Sequence, residues 1–211
     1  MDELLEKWRD REHHRNHLFI SDGVVDSEAW GKTTHKVLFV LKEAYDEKRT
    51  EGTWDLSTLI RRRKVSGRTL KPMAQWAYGV QQVLKHQRIS EFREKGQEVE
   101  KALMSSAVLN LKKSGGANKS SYKNLQNYVE KDWDLIARQI EIIRPDIVIC
   151  GKTWSLLSNM IEEKSRVSDQ VARVNGIPYV SFWHPANRAS NKMCYYSLCA
   201  LVLQALESGE L

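Results

Sequence analysis

The stretch Lys36-Val37-Leu38-Phe39-Val40-Leu41 is apolar without alternation and runs straight into Lys42-Glu43-Ala44-Tyr45-Asp46. A strand with one wet face alternates polar and apolar residues, whereas a strand covered on both faces does not. Three more runs share this character: Ser106-Ala107-Val108-Leu109-Asn110-Leu111, Asp146-Ile147-Val148-Ile149-Cys150-Gly151 and Pro178-Tyr179-Val180-Ser181-Phe182-Trp183. Segments of helical period separate them. Over 71–88, Met73, Trp76, Ala77, Val80 and Leu84 recur at three-to-four spacing, and over 122–143 Leu125, Val129, Ile136, Ile140 and Ile143 do the same. Further helices are expected over 153–163 and 191–208. Strand and helix in alternation predict an α/β protein: a three-layer α/β/α sandwich around a central four-stranded parallel sheet.

The 211 residues fit a single domain, 1–211, with a charged helix over 2–17 as a surface appendage in which Trp8 packs down. His13, His14 and His17 on that helix are expected to be solvated, because no carboxylate or cysteine framework beside them completes a metal site. Cys150, Cys194 and Cys199 show neither a CxxC pair nor zinc-finger spacing, and Cys150 sits in an apolar run that marks it as core. The segment 46–70 reads as the longest irregular stretch, and 114–121, rich in Gly, Ser and Asn, as a flexible loop.

Formal net charge is +6. The basic excess clusters in Arg61-Arg62-Arg63-Lys64, Arg68, Lys71, Lys112-Lys113, Lys119 and Lys123, which suits a polyanionic partner or simply a solvated surface. No apolar leader and no uncharged stretch of membrane-spanning length occur, so a cytoplasmic, monomeric protein without a membrane partner is expected. There is no GxxxxGK[ST], GxGxxG or GxSxG, which disfavours nucleoside triphosphates, dinucleotides and acyl-hydrolase chemistry.

Function is expected where strands end, since ligands of open α/β sheets bind beyond the carboxyl ends of their strands. Three runs finish in polar groups: Lys42-Glu43-Ala44-Tyr45-Asp46, Asn110-Leu111-Lys112-Lys113 and His184-Pro185-Ala186-Asn187-Arg188. A carboxylate, a carboxamide and an imidazole around one pocket form a usable set for cutting a bond to a nitrogen base. Each also has a plain structural use: Glu43 in a salt bridge with Lys42 or at a helix N-cap, Asn110 in a turn, and His184 as a strand cap.

These residues carry a resemblance. Val37-Leu38-Phe39-Val40-Leu41-Lys42-Glu43-Ala44 resembles the first motif of the uracil-DNA glycosylase superfamily, nearest the branch whose motif reads GEAPG. Ala107 to Lys113 is similar to that branch's strand ending in asparagine and lysine, Gln139 to Gly151 to its helix-to-strand passage, and His184-Pro185-Ala186 to its closing HPS motif. The likeness spans about 36–188. Lys42 replaces the motif's glycine, Tyr45-Asp46 replace its proline and glycine, and the cysteines that hold that branch's iron–sulfur cluster have no counterpart. No cofactor and no metal are therefore expected.

The resemblance implies a monofunctional DNA glycosylase that hydrolyses the N-glycosidic bond of uracil or, given the altered first motif, a modified pyrimidine such as a phage-type modified cytosine. Base excision by such an enzyme serves DNA repair or phage defence. His184 would donate to the departing base, and Glu43 would activate water and stabilise the cationic sugar. Asn110, Trp54, Tyr45 and Lys42 would line the base pocket, Trp54 and Tyr45 being equally well suited to core packing. Arg188, Asn187, Lys112, Lys113, Arg61, Arg62, Arg63 and Lys64 would hold DNA, single- or double-stranded. Two other classes stay open: a catalytically silent nucleic-acid-binding module on the same fold, and a hydrolase acting on free nucleosides.

Overall fold

The computed structural model describes residues 1–15, 17–46, 51–63, 65–116 and 120–207. In chain order these form α1 (Asp2–Arg9), a 3-10 turn (Glu12–His14), β1 (Phe19–Ser21), β2 (Gly23–Val24), α2 (Ser27–Lys32), β3 (Val37–Tyr45), β4 (Thr53–Asp55), α3 (Leu56–Arg63) and α4 (Gly67–His86). There follow α5 (Gln97–Met104), β5 (Ser106–Gly116), α6 (Tyr122–Ile143), β6 (Ile147–Gly151), α7 (Trp154–Ser158), β7 (Ser165–Arg166), β8 (Val171–Val174), β9 (Ile177–Phe182) and α8 (Asn191–Glu207).

The protein is mixed α/β, and its main sheet has seven strands in the order β2-β5-β3-β6-β9-β8-β7. The four expected strands are its adjacent parallel members, with Val37 in register with Ser106 on one side and Ile147 on the other. The expectation of a four-stranded, wholly parallel sheet is corrected by three short antiparallel additions, β2 against β5, and β8 and β7 beyond β9. The β8–β9 hairpin turns on Asn175-Gly176, both at positive φ (50° and 79°), as a two-residue turn of matching twist requires.

Pleating divides β3 between two cores. Val37, Phe39 and Leu41 enter one apolar cluster with Trp76 and Val80 of α4, Leu103 of α5 and Leu198 of α8. Leu38 and Val40 enter another with Trp8 of α1, Val129 and Ile136 of α6 and Leu157 of α7. Helices thus pack on both faces, which is why these strands show no alternation. Where α4 meets α8, Gly79 is the point of closest approach: a Cβ there would lie 2.4 Å from Tyr195 Cε2 and 2.6 Å from Cys199 Sγ.

Several local expectations are corrected. The described residues of the segment 46–70 are largely regular: β4 pairs with β1 in a small parallel sheet, and Asp55 Oδ1 accepts the Thr58 N–H (2.6 Å) to start α3, which buries Ile60; 47–50 and 64 lie outside the described residues. The strand β5 continues through Ser114-Gly115-Gly116, where a flexible loop is expected, because the tail of β3 pairs with it. The helix after Gly151 ends at Ser158 rather than 163. Finally, 2–17 is not one surface helix. Its helix stops at Arg9 and the 3-10 turn delivers His14 into the core, while Trp8 packs down as expected and is fully buried.

Replacing Gly79 by alanine forces α4 and α8 apart and is expected to lower unfolding free energy by about 1–3 kcal/mol, the usual cost of overpacking. Urea titration of the variant checks this, and an unchanged midpoint refutes the close approach.

Candidate active site

The carboxyl ends of β3, β6 and β9 converge around Lys42, Lys152 and His184. Just past β9, Pro185 is buried and the chain folds back on itself: the Asn187 N–H and Nδ2 both donate to the His184 carbonyl (2.9 and 3.0 Å), and the Ala189 N–H donates to Asn187 Oδ1 (2.7 Å). The Ala186 N–H donates to His184 Nδ1 at 3.1 Å. That bond fixes the tautomer, since a nitrogen accepting a hydrogen bond carries no proton; Nε2 is the N–H donor. Burial, and after it the nearby charges of Lys42 and Lys152, push the His184 pKa down to about 4. The ring is neutral at physiological pH and presents one fixed donor.

Lys152 occupies the tip of β6 with φ at +58°, a left-handed backbone that lysine rarely adopts. Its N–H donates to the Phe182 carbonyl (2.8 Å), and its Nζ lies 4.2 Å from the centroid of the Trp183 ring, which is 49% exposed. Between Lys42 and Lys152 opens a pocket of about 410 Å³, walled by Tyr122, Trp154, Ser155 and Ser181. Non-glycine residues in left-handed conformations concentrate at functional sites.

Glu43 follows Lys42 but is engaged elsewhere. Its Oε2 accepts from Lys112 Nζ at 2.9 Å, with both side chains mostly buried. It lies directly over Gly116, where a Cβ would come within 2.3 Å of Glu43 Cδ. The salt bridge expected with Lys42 is not the one made: Lys112, from the neighbouring strand, is the cation. Asn110 pairs in register with Leu41 and is buried. Its backbone N–H donates to Asp22 Oδ2 (2.8 Å), while Nδ2 has no partner among the described residues. A buried donor without an acceptor is uncommon, and Asn110 is not among the described residues that line the pocket between Lys42 and Lys152.

Other expected residues take different places. Lys113 is fully buried in an ion pair with Asp22, donates to Gln139 Oε1 (2.9 Å) and lies 4.4 Å from the Trp8 ring centroid. It is not a surface contact for DNA. Lys112 is spent on Glu43, and the Asn187 side chain on its own loop. Trp54 is half-buried with its indole N–H donating to Asp46 Oδ2 (2.9 Å), whereas Tyr45 is 59% exposed. Arg61 donates to the Val25 carbonyl and to Thr58 Oγ1 (2.8 Å); Arg61, Arg62 and Arg63 form the exposed last turn of α3, and Arg188 is exposed. Lys64 lies outside the described residues.

His13 and His14, expected to be solvated, converge instead on Asp132 of α6. His13 Nε2 is 2.9 Å from Oδ1 and His14 Nε2 is 2.8 Å from Oδ2 of this fully buried carboxylate. A metal is not the natural occupant. The Arg11 guanidinium already neutralises Oδ1 (3.2 Å), and His14 Nδ1 lacks the acceptor that an imidazole bound to metal through Nε2 would need. The geometry is that of a clamp holding the N-terminal segment on α6.

No protein-family model matches the chain, and no curated protein matches it. Sequence reasoning missed Lys152, Trp183, Tyr122 and Trp154. The signal for the first two lay in their places, Lys152 immediately after the third apolar run and Trp183 as the last residue of the fourth.

Two outcomes are expected. Asp132→Asn should cost at least about 2 kcal/mol, because it strips a buried ionic cluster of its charge, and EDTA or zinc should leave the melting temperature of the wild type unchanged. For His184 the folded pKa lies below the unfolded value of 6.5. Its contribution is fully present above pH 6.5 and is lost as pH falls toward about 4, amounting to at most about 3 kcal/mol. Melting curves across pH 3.5–8 should show a shallower acid slope for His184→Gln; parallel slopes would mean the imidazole is not held neutral.

Proposed function

We propose that the protein is a monofunctional DNA glycosylase, hydrolysing the N-glycosidic bond of uracil or a modified pyrimidine flipped out of DNA. The observation that carries this reading is His184: a neutral imidazole whose Nε2–H is fixed by the Ala186 N–H on Nδ1, beside two lysines at the carboxyl edge of a parallel strand block. Helices on both faces of that block fit the three-layer α/β/α arrangement of the uracil-DNA glycosylase superfamily. DNA is the partner, and the protein acts as a monomer.

Cleavage of the bond leaves negative charge on the base and positive charge on the sugar. A fixed donor at the base oxygen is worth about 3–4 kcal/mol where charge develops. His184 supplies it without first losing a proton, and Lys42 and Lys152 add positive potential to the same region. The buried Asn110 Nδ2 supplies a donor for a base carbonyl. Glu43, paired with Lys112, faces the cationic sugar and orients the attacking water. Flipping costs a few kcal/mol of unstacking, recovered through phosphate and aromatic contacts. With lysine in place of glycine in the first motif, the pocket wall differs from that of a plain uracil enzyme, which suits a modified base.

The Glu43–Lys112 pair also favours a second reading, a DNA-binding module without chemistry, because a carboxylate bound to an ammonium is a weaker base. An excision assay separates the two. Purified protein is incubated with uracil-containing DNA and with DNA bearing modified cytosines, and abasic sites are scored by alkaline cleavage. The enzyme reading expects abasic sites that fall at least about 100-fold in His184→Ala and strongly in Glu43→Gln. Binding without abasic sites on any substrate leaves the module.

A further inference from the structure

The pocket between β3, β6 and α7 has an unbalanced charge. Lys42 and Lys152 border it, and among the described residues that line it none is a carboxylate. Neither lysine has an ion-pair partner among the described residues, whereas Lys112 pairs with Glu43 and Lys113 with Asp22. Two ammonium groups near one imidazole repel each other and depress its basicity, an arrangement that an anion would relieve.

We infer that this pocket binds a phosphate group carried by a nucleotide, gripped between Lys42 and Lys152. Ser155 and Ser181 supply neutral hydroxyl donors, and Trp154 and the half-exposed Tyr122 supply flat walls for the attached sugar or base. At about 410 Å³ the space exceeds what a bare ion needs and lies in the range of small-molecule sites. The left-handed backbone of Lys152 sends its ammonium across Trp183 to the pocket rim, where a weak cation–π contact holds it until a stronger anion replaces it. The inference rests on the DNA reading only for the source of the phosphate, which is either the backbone diester of a neighbouring nucleotide or a terminal monoester.

Binding, read without excision, tests it. The full-length protein is titrated with thymidine octamers bearing a 5′-phosphate or a 5′-hydroxyl, with octamers in which single linkages are methylphosphonates, and with inorganic phosphate and acetate as competitors. The signal is the tryptophan emission that disappears in Trp183→Phe, supported by calorimetry. Lys42→Met and Lys152→Gly are each expected to weaken octamer binding about tenfold and to reduce the salt slope by about one. Lys152→Gly suits the left-handed backbone, so its loss of binding is not a folding defect. A 5′-phosphate that tightens binding identifies the monoester; a single neutral linkage that weakens it identifies the diester. Wild-type affinity and salt slope in both variants, or competition by acetate equal to that by phosphate, would overturn the inference. Loss of the excision reading with lysine-dependent binding intact would leave it standing.

Discussion

The structure depends on one constraint: the strand β3 has no wet face. Its odd residues enter one apolar cluster and its even residues the other, so each needs its own helical cover, and a polar side chain within the strand would find no water. Polar chemistry is therefore expelled to the point where cover ends. That point is Lys42, where β6 on one side has reached its end, while the tail of β3 runs on with β5 to Tyr45 and Gly116. The candidate site is thus a consequence of how the core is filled. The two ionic clusters that do enter the interior, Lys113 with Asp22 and Gln139, and Asp132 with Arg11, His13 and His14, lie toward the α6 face and are closed by their own partners.

Electrostatics at the edge are asymmetric. Where Glu43 meets Lys112 charge is balanced, and where Lys42 and Lys152 meet His184 it is not. Because the imidazole is neutral, the positive potential there comes from the lysines and not from His184. The edge thus carries a paired carboxylate on one side and, on the other, two cations without ion-pair partners among the described residues, the polarity on which the proposed bond cleavage draws.

The parallel block was legible because burial on both faces leaves a compositional trace, and so were the long helices with their periodic apolar positions. The short elements left weaker traces. Asn175-Gly176 between Val171–Val174 and Ile177–Phe182 is a strong hairpin signal that reading continuous runs passes over. Asp55 before Leu56 is a helix start hidden in a polar stretch. Of the candidate residues, His184 was legible from its place at a strand end, whereas the fates of Lys112 and Lys113 were not. Adjacent lysines on a strand point opposite ways, and which one is buried depends on Asp22, which is 91 positions away in sequence. The clamp at Asp132 escaped for the same reason, since a carboxylate in mid-helix gives no sign of histidines 118 and 119 positions earlier.

The buried pair of Lys113 and Asp22 has a further consequence for how this sheet meets other chains. On the β5 side, β2 covers only Ala107 and Val108, and farther along an unprotected strand would invite edge-to-edge pairing. Asp22 closes that gap. One carboxylate oxygen takes the Asn110 N–H while the other holds Lys113, so a side chain stands where an intruding strand would need a carbonyl. At the opposite margin the sheet ends in β7, two exposed residues long, one of them Arg166. Both margins thus discourage strand addition by a second molecule, a safeguard against aggregation built from the same ion pair that anchors the core.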